Sequence, residues 1–496
     1  MNDLDVLVVG GGPAGLSTAI EISKSGLSVV VVDEGVSSGG QLVKQTHKFF
    51  GNESFFASVR GIEIAQRLIE ELSAFEKAQL LSENSVMAVY SDGVPVLDMR
   101  RDSTTVFRPK KIVLATGASE KFLQFENNDL PGVYGAGAVQ TLMNQYGIIP
   151  GKSVLMIGSG NIGLIVAYQL MQAGIEVRAI IEASNEVGGY QVHADKVKRL
   201  GIPVELRHTI LKAIGEDTVR GAVVSELDDR WRPIAGTERE FAVDTICVAV
   251  GLSPSTELAA QAGCKIEYIQ ELGGYVPSRD ENMRTSVPDV FVAGDVSGIE
   301  EATTAMMEGK IAGLSIIKDL TGNCDEELLG SLKDTLASFR SGPKSSRTRD
   351  GLGRLGIRVK GSPFAKRQTS DFDKYVGKLR PIIECLEAIP CNPCETSCPF
   401  GAITVGKNIN NIPVIDYSKC SGCGICATSC PGLAIFMFKE NEDGTCSIGI
   451  PYEFLPIPSK GQHVTARGRN GEFLCSARVE RVTRSPNNTN LVYINV

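Results

Sequence analysis

Hydrophobic positions near the start of the chain fall into short continuous runs, separated by a longer segment with helical spacing. The run at residues 5–9 predicts a buried strand, residues 16–25 predict a helix and residues 28–32 predict a second strand. Two strands joined through a helix form a βαβ unit, which indicates a parallel sheet and an α/β fold.

A glycine-rich loop joins the first predicted strand to the helix. Gly10 suits the tight turn, Gly12 lets the backbone approach a pyrophosphate, and Gly15 permits close packing of helix on strand. The helix N-terminus attracts the phosphate charge. Asp33 or Glu34, at the end of the next strand, would bond ribose hydroxyls. The predicted dinucleotide-binding residues are Gly10, Gly12, Pro13, Ala14, Gly15, Asp33 and Glu34.

The same pattern recurs from Ser153, with strands at 154–157 and 177–181 around a helix at 164–172. Glu182 ends the second strand, where it would accept hydrogen bonds from a ribose 2′-hydroxyl and repel a 2′-phosphate, which favours NAD over NADP. Such a site also suits ATP, or a purely structural role. The predicted residues are Gly158, Gly160, Asn161, Ile162, Gly163 and Glu182, together with Gly251 on a later strand.

Two runs of cysteines in the last quarter of the chain carry the spacing of iron-sulfur ligands. The second run reads C-x-x-C-x-x-C-x-x-x-C-P from Cys420 to Pro431, and the first is an imperfect copy from Cys391 to Pro399. In two-cluster ferredoxins the fourth cysteine of each run binds the other cluster. One 4Fe-4S cluster would therefore take Cys398, Cys420, Cys423 and Cys426, and the other Cys391, Cys394 and Cys430.

The second of these clusters lacks a fourth ligand at the usual spacing, where Ala388 stands. Cys385 is the nearest thiol, and we expect it to bind through a longer loop. The alternatives are a 3Fe-4S cluster, a non-cysteine ligand or no cluster at this position. Zinc is a further alternative, since repeated C-x-x-C pairs also form zinc sites, but the proline after each terminal cysteine favours iron.

Charge and hydropathy exclude several classes of function. The 496 residues carry a net charge of −8, which argues against a nucleic-acid partner. No apolar run approaches the ~20 residues of a membrane span. A buried strand begins close to Met1, leaving no room for a signal peptide, and the remaining cysteines lack paired spacing. A reducing, cytoplasmic location is the expectation.

Three further segments resemble the flavoprotein family with two dinucleotide domains that includes thioredoxin reductase. They are segment 112–117, which ends in Ala115-Thr116-Gly117, segment 245–254, which contains Gly251, and segment 290–295, which ends in Gly294-Asp295. The resemblance implies FAD in the first site, a nicotinamide nucleotide in the second, and a helix dipole at the flavin from the helix after Glu301. It adds these residues to the FAD site: Gly40, Gln41, Val86, Ala115, Thr116, Gly117, Gly294, Asp295, Ala302 and Thr303.

The family's disulfide reductases use a redox cysteine pair beside the flavin, and no two cysteines before residue 385 are close enough in sequence to supply one. The clusters are therefore the expected route for electrons. His47 is a candidate flavin-pocket residue, and His193 is expected at the surface or an interface, because hydride transfer needs no protein acid or base.

A narrower resemblance is to alpha subunits of heteromeric amine and imino-acid dehydrogenases, the group of sarcosine oxidase, opine oxidase, hydrogen cyanide synthase and dye-linked proline dehydrogenase. It is carried by Gly39-Gly40-Gln41, segment 45–51, Arg60-Gly61, segment 161–168 and segment 188–193. It implies a second flavoprotein (beta) subunit that oxidises a C–N bond, and a small electron-transfer subunit. The alternatives are a stand-alone NADH:acceptor reductase and a scaffold with a structural nucleotide such as ATP.

These patterns predict five regions. Residues 333–380 contain 13 Lys or Arg against 4 Asp or Glu, which suggests a solvated linker or a strap packed on an acidic surface. A hairpin is expected around Asn470-Gly471 with a type I′ turn, and Phe473 is among the residues expected to point inward. The predicted regions are a split FAD domain (1–118 and 253–322), an inserted NAD domain (119–252), a basic linker or strap (323–380), a ferredoxin-like domain (381–440) and a β-rich module (441–496).

Overall fold

The computed structural model describes residues 2–363 and 377–496. Part of the predicted linker, residues 364–376, lies outside the described residues. The strands are β1 Asn2–Val9, β2 Val29–Asp33, β3 Ala78–Ser82, β4 Asn84–Val86, β5 Val94–Asp98, β6 Ser103–Leu114, β7 Ala118–Glu120, β8 Val133–Gly135, β9 Ser153–Ile157, β10 Glu176–Glu182, β11 Val204–Leu206, β12 His208–Ile214, β13 Gly221–Glu226, β14 Arg239–Phe241, β15 Thr245–Val248, β16 Leu252–Pro254, β17 Ile266–Ile269, β18 Gly274–Pro277, β19 Val290–Val292, β20 Arg380–Ile383, β21 Ile403–Thr404, β22 Val414–Ile415, β23 Ile435–Glu440, β24 Cys446–Tyr452, β25 His463–Arg467, β26 Phe473–Thr483 and β27 Asn490–Asn495.

The helices alternate with these strands through the first half of the chain. They are α1 Pro13–Lys24, α2 Gly61–Ser73, α3 Ala136–Gln140, α4 Asn161–Gln172, α5 Gln191–Arg199, α6 Glu257–Gln261, α7 Ala302–Thr321, α8 Glu326–Phe339, α9 Ser346–Arg354, α10 Pro393–Thr396 and α11 Ile425–Ser429. Short 3₁₀ turns include Gly40–Lys44 and Asp295–Ser297.

Two compact units divide the chain. The first contains the described residues of 1–49, 54–119 and 252–364, and the second contains those of 50–53, 120–251 and 365–496. The predicted inserted domain and both predicted C-terminal regions thus fall in one unit.

The first unit is built on a sheet in the order β3-β2-β1-β6-β5-β4, with β19 also paired to β6. Strands β1, β2, β3 and β19 run parallel to their neighbours, and β4 and β5 form an antiparallel edge. Helix α7 packs closely on α1, where a Cβ on Gly309 would lie 2.2 Å from the Ala14 carbonyl oxygen. This close approach holds the first glycine loop against the helix that follows Gly294-Asp295.

Helices α8 and α9 occupy much of the segment predicted as a linker or strap. Leu352 of α9 is buried against Ile269, Leu272 and Val276. Arg354 pairs with Glu271 at 2.8 Å. Helix α9 therefore packs within the first unit through both apolar and ionic contacts.

The second unit contains a parallel sheet in the order β11-β10-β9-β15-β8 and an antiparallel sheet β12-β13-β14. A six-stranded antiparallel sheet, β20-β23-β24-β27-β26-β25, joins strands from both predicted C-terminal regions. Residues 381–440 and 441–496 thus share one sheet, because β23 pairs with β24 across the boundary between them.

The predicted hairpin forms between β25 and β26, but its turn and one inward residue differ from the prediction. Gly471 has a positive φ of 80° whereas Asn470 is not among the residues with positive φ, so the turn is not type I′. The Gly471 amide donates to the Gly468 carbonyl at 3.1 Å. Ala477 and Val479 are buried as expected, but Phe473, the first residue of β26 after the turn, is 69% exposed.

Candidate functional site

The first glycine loop has the close backbone contacts that its sequence requires. Gly10 has a φ of 105°, and a Cβ there would lie 2.2 Å from the Ala115 carbonyl oxygen. A Cβ on Gly15 would lie 1.9 Å from the Gly10 carbonyl oxygen. Larger residues at either position would push the turn away from β6 or from α1.

The second glycine loop repeats this geometry. Gly158 has a φ of 102°, and a Cβ there would lie 2.3 Å from the Ala249 carbonyl oxygen. A Cβ on Gly163 would lie 2.2 Å from the Gly158 carbonyl oxygen. Both loops therefore present a backbone turn followed directly by the N-terminus of a helix.

The middle glycine of each loop faces open space, as a pyrophosphate cradle requires. Among the described residues, the nearest atom to a Cβ on Gly12 is 3.8 Å away, and none lies within 4 Å of one on Gly160. Each acidic residue at the end of the following strand is tied to its own loop. Asp33 accepts from the Gly11 amide at 2.6 Å, and Glu182 accepts from the Ser159 amide at 2.8 Å. These two sites fit a dinucleotide.

A buried ionic network lies behind the Gly294-Asp295 segment. Glu308 of α7 accepts from the Gly294 amide at 2.9 Å, from Arg279 at 2.7 Å and from Arg340 at 2.6 Å. Burial by itself would raise the pKa of Glu308, but the two guanidinium groups outweigh burial and hold that pKa below its ordinary value. At Asp295 burial is the largest effect, and it raises the pKa of this carboxyl to about 7.

Sequence reasoning did not identify this network. Arg279 and Arg340 are distant in sequence from Glu308, and no local motif includes them. The positive charge of residues 333–380 was the available signal, since Arg340 belongs to that segment. Its guanidinium also binds Glu300, with Nε 3.1 Å from each carboxylate oxygen.

The other predicted FAD residues lie in the first unit. Ala115 is buried, Gly117 has a positive φ of 70°, and Thr116 donates to the Ser255 carbonyl at 2.7 Å. Thr303 is buried in the first turn of α7. The remaining ones occupy exposed or half-buried positions in the loops, at the end of β4 and at the start of α7: Pro13, Glu34, Gly40, Gln41, Val86 and Ala302.

The predicted cluster ligands form two groups of four. We call Cys385, Cys391, Cys394 and Cys430 the inner tetrad, and Cys398, Cys420, Cys423 and Cys426 the outer tetrad. Burial raises the pKa of Cys391 and Cys394 well above the ordinary range, and neighbouring inner thiols raise it further. Burial raises the pKa of Cys385 to about 12, and the nearby Cys430 thiol raises it further. The structure thus brings Cys385 together with the thiols that lack a fourth partner.

The outer tetrad lines one pocket, together with Pro381, Phe400 and residues 421–425. Cys423 is exposed, whereas Cys426 is buried. The last cysteine of each run accepts a backbone hydrogen bond from the residue four places on, Cys398 from Ala402 at 3.3 Å and Cys430 from Ala434 at 3.5 Å. Hydrogen bonds to ligand sulfur are among the features that set cluster potentials.

The two tetrads fit iron-sulfur clusters in number and residue type. In the described ranges 2–363 and 377–496, no three His, Cys, Asp or Glu side chains converge on a position for a single metal ion. A 4Fe-4S cluster takes one thiolate at each iron, so its ligands do not converge on one point.

The two candidate histidines lie in different units. His47 is half-buried and its ring stacks on Phe49 with the centroids 5.2 Å apart. His193 is 1% exposed, and its ring meets Phe50 edge-on at 5.3 Å. The expectation of a surface position for His193 was wrong, because its ring packs against Phe50 and Tyr190.

Two regions of the sequence match known protein families. Residues 4–309 match the pyridine nucleotide-disulphide oxidoreductase family, and residues 389–434 match the 4Fe-4S dicluster domain.

The part of the chain that the structure describes has no helix combining the length and apolarity needed to cross a bilayer.

Three relatives illustrate the likeness. An opine oxidase subunit of Agrobacterium tumefaciens is 29% identical over 343 residues, covering 64% of this chain and 66% of that protein. The HcnB subunit of hydrogen cyanide synthase from Pseudomonas aeruginosa is 29% identical over 334 residues, covering 64% and 71%. The solved L-proline dehydrogenase from P. horikoshii is 26% identical with a TM-score of 0.52, covering 66% of this chain and 59% of that one.

These findings confirm the resemblance drawn from the residues and the predicted α/β class with Rossmann-like domains. This chain covers 66% of the length of the opine oxidase subunit and 59% of the length of the proline dehydrogenase chain.

Proposed function

The chain belongs to the pyridine nucleotide-disulphide oxidoreductase family, and from that premise we propose that it passes electrons between NAD(H), FAD and two 4Fe-4S clusters. One observation supports the proposal: the eight candidate cysteine ligands lie in the same unit as the second dinucleotide loop. The proposal does not include a redox thiol pair. The family's disulfide chemistry needs two neighbouring cysteines, and no two cysteines before residue 385 are close enough in sequence to form such a pair.

The side chains of the first unit would hold FAD by its pyrophosphate and ribose. Gly12 would leave room for the phosphates at the start of α1, and Asp33, at the end of β2, would bind the ribose. Asp295 would contact the ribityl region, with the N-terminus of α7 directed at the ring. Bound FAD would supply the exchange between two-electron hydride chemistry and one-electron transfer.

The second loop would hold NAD in the same manner, with Glu182 selecting against a 2′-phosphate. Both Glu182 carboxylate oxygens already accept hydrogen bonds, one from Ser159 and the other from the Ser184 amide at 2.8 Å. These bonds fix the carboxylate at the end of β10, where a ribose would meet it. ATP or a structural nucleotide remains the rival occupant.

We assign Cys385 as the fourth ligand of the inner cluster. Its thiol is half-buried and interacts electrostatically with the other three inner thiols, and Ala388, at the usual spacing, cannot bind iron. The rival assignments are a 3Fe-4S cluster and a non-cysteine ligand.

The relatives named as subunits of opine oxidase and hydrogen cyanide synthase support a role as one subunit of a heteromeric amine or imino-acid dehydrogenase. In that role a partner flavoprotein would oxidise the C–N bond, and this chain would carry the electrons. The rival is a stand-alone NADH:acceptor reductase. We also propose a reducing, cytoplasmic location, in which the thiols stay available to iron.

Anaerobic titration of the purified protein with NADH tests the nicotinamide role. Flavin absorbance should bleach, and EPR of the reduced protein should show two 4Fe-4S signals with about eight irons per chain. Absence of bleaching would remove the nicotinamide role in favour of a structural nucleotide. Co-purification with a second flavoprotein would favour the heteromeric enzyme, and rapid dye reduction by the isolated chain would favour the stand-alone reductase.

The Cys385→Ala variant tests the ligand assignment, with Cys446→Ala as the matched control outside both tetrads. The first variant should lose the inner 4Fe-4S signal and keep the outer one, because only one cluster loses a ligand. Two intact 4Fe-4S signals in Cys385→Ala would show that another group is the fourth ligand.

A further inference from the structure

The loop that carries Cys385 is held by a helix of the nucleotide-binding part of the second unit. Cys385 lies between Glu384 and Glu387, and α5 contacts both carboxylates. The Gln191 amide, at the start of α5, donates to Glu387 at 2.9 Å. Arg199, at its end, pairs with Glu384 at 3.5 Å. One helix therefore grips the chain on either side of the unusual ligand.

The same helix also contacts the segments around Cys430, another inner ligand. A Cβ on Gly432 would lie 2.9 Å from the Val192 side chain, so the turn after Cys430 packs directly on α5. The Arg199 guanidinium stacks over Phe436 at 4.8 Å and interacts electrostatically with Cys430. Two of the four inner ligands thus take their surroundings from α5.

At its N-terminus, α5 follows directly on residues 188–190, which form hydrogen bonds with the second glycine loop. The Gly188 amide donates to the Ser159 hydroxyl at 3.1 Å, and the Gly189 amide donates to the Ser159 carbonyl at 2.9 Å. The Tyr190 amide donates to the Asn161 side chain at 2.7 Å. The loop that would receive the pyrophosphate is therefore linked by hydrogen bonds to the first residue before α5.

We propose that α5 positions Cys385 and couples the second nucleotide site to the inner cluster. Arg199 and Glu387 act as positioning residues through the Cys385 loop. A cluster potential depends on local charge and on hydrogen bonding around its ligands. Helix α5 supplies a guanidinium that contacts Glu384 and Phe436, and it holds both flanks of Cys385. By linkage, a nucleotide that shifts the inner cluster potential must bind with different affinity to its two redox states.

This inference rests on the proposed function, namely on two clusters and a nucleotide at the second loop. The experiment uses the full-length holoprotein and ADP-ribose, a probe that fills the adenosine and pyrophosphate positions but cannot donate hydride. Calorimetry measures its binding, and EPR-monitored redox titration measures each cluster. We expect ADP-ribose to shift the midpoint or line shape of the inner signal while leaving the outer signal unchanged.

Variants test whether α5 carries the effect. Arg199→Met and Glu387→Gln should keep both clusters and ADP-ribose binding but reduce or abolish the shift of the inner signal. Arg199→Lys, which retains the charge, should restore part of it. Glu440→Gln, an exposed carboxylate on β23, is the control and should respond like the unmodified protein.

The outcomes separate the inference from the proposed function. Two clusters and measurable ADP-ribose binding without a selective inner shift would overturn the coupling and leave the proposed function standing. Missing clusters or no ADP-ribose binding would overturn both. A shift that persists at full size in Arg199→Met and Glu387→Gln would show that α5 is not the connection.

Discussion

The buried ionic network around Glu308 gives a prediction whose size follows from the contacts. In Arg340→Met the side chain keeps most of its apolar length but loses its bonds to Glu308 at 2.6 Å and to Glu300 at 3.1 Å. Arg340 is 3% exposed, so water cannot replace the guanidinium. Removing one partner of a buried pair costs about 3–5 kcal/mol, because it leaves an uncompensated charge.

For a unit of this size, that loss corresponds to a fall in melting temperature of roughly 6–20 °C. Thermal unfolding followed by released flavin fluorescence and by calorimetry measures it. Flavin affinity should also fall, because Glu308 holds the Gly294 amide beside Asp295.

The matched control is Arg354→Met, which removes an arginine–carboxylate pair from the same basic segment. Arg354 pairs with Glu271 at 2.8 Å, but its side chain is 57% exposed. Exposed pairs contribute about 0–1 kcal/mol, so this variant should unfold close to the unmodified temperature. A loss below about 1 kcal/mol in Arg340→Met, or equal losses in the two variants, would refute the reasoning.

Three further predictions concern the nucleotide and cluster sites. Glu182→Gln should lower the preference for NAD over NADP by roughly 10–100-fold in calorimetry, since hydrogen bonds to charged groups contribute about 1.5–3 kcal/mol; an unchanged ratio would exclude ribose recognition by Glu182. The pKa of Asp295 is about 7 in the folded protein, above its ordinary value in the unfolded chain. The free energy of unfolding should therefore fall as pH rises from that ordinary value through about 7. Asp295→Asn should therefore stabilise the flavin-free protein more at pH 8 than at pH 4, and a pH-independent difference in denaturation would contradict the burial argument. Gly422→Ala should abolish only the outer EPR signal, because its Cβ would lie 2.3 Å from the Leu379 carbonyl oxygen. The control is Gly444→Ala, at a similar positive φ but with open space around it among the described residues. Equal loss of signal in both variants would show that backbone strain, and not the clash, is responsible.

Local patterns were sufficient where the chemistry depends on residues close in sequence. The two glycine loops, the acidic residue after each and the two cysteine runs are each contained in about thirty residues, so spacing alone indicated them. The hairpin turn was only partly predicted. Asn470-Gly471 indicated its place, but the turn type depends on the backbone of the whole loop between β25 and β26.

Local sequence patterns could not predict contacts between segments that are distant in the chain. The sequence by itself determined the α/β class and the family, and it predicted seven cluster ligands, because each depends on local spacing. Only the tertiary structure decided that His193 is buried, that Arg340 completes a network with Glu308, and that α5 grips the loop of Cys385. These contacts join segments separated by many residues, and burial and charge pairing are properties of such neighbours rather than of a residue's own segment.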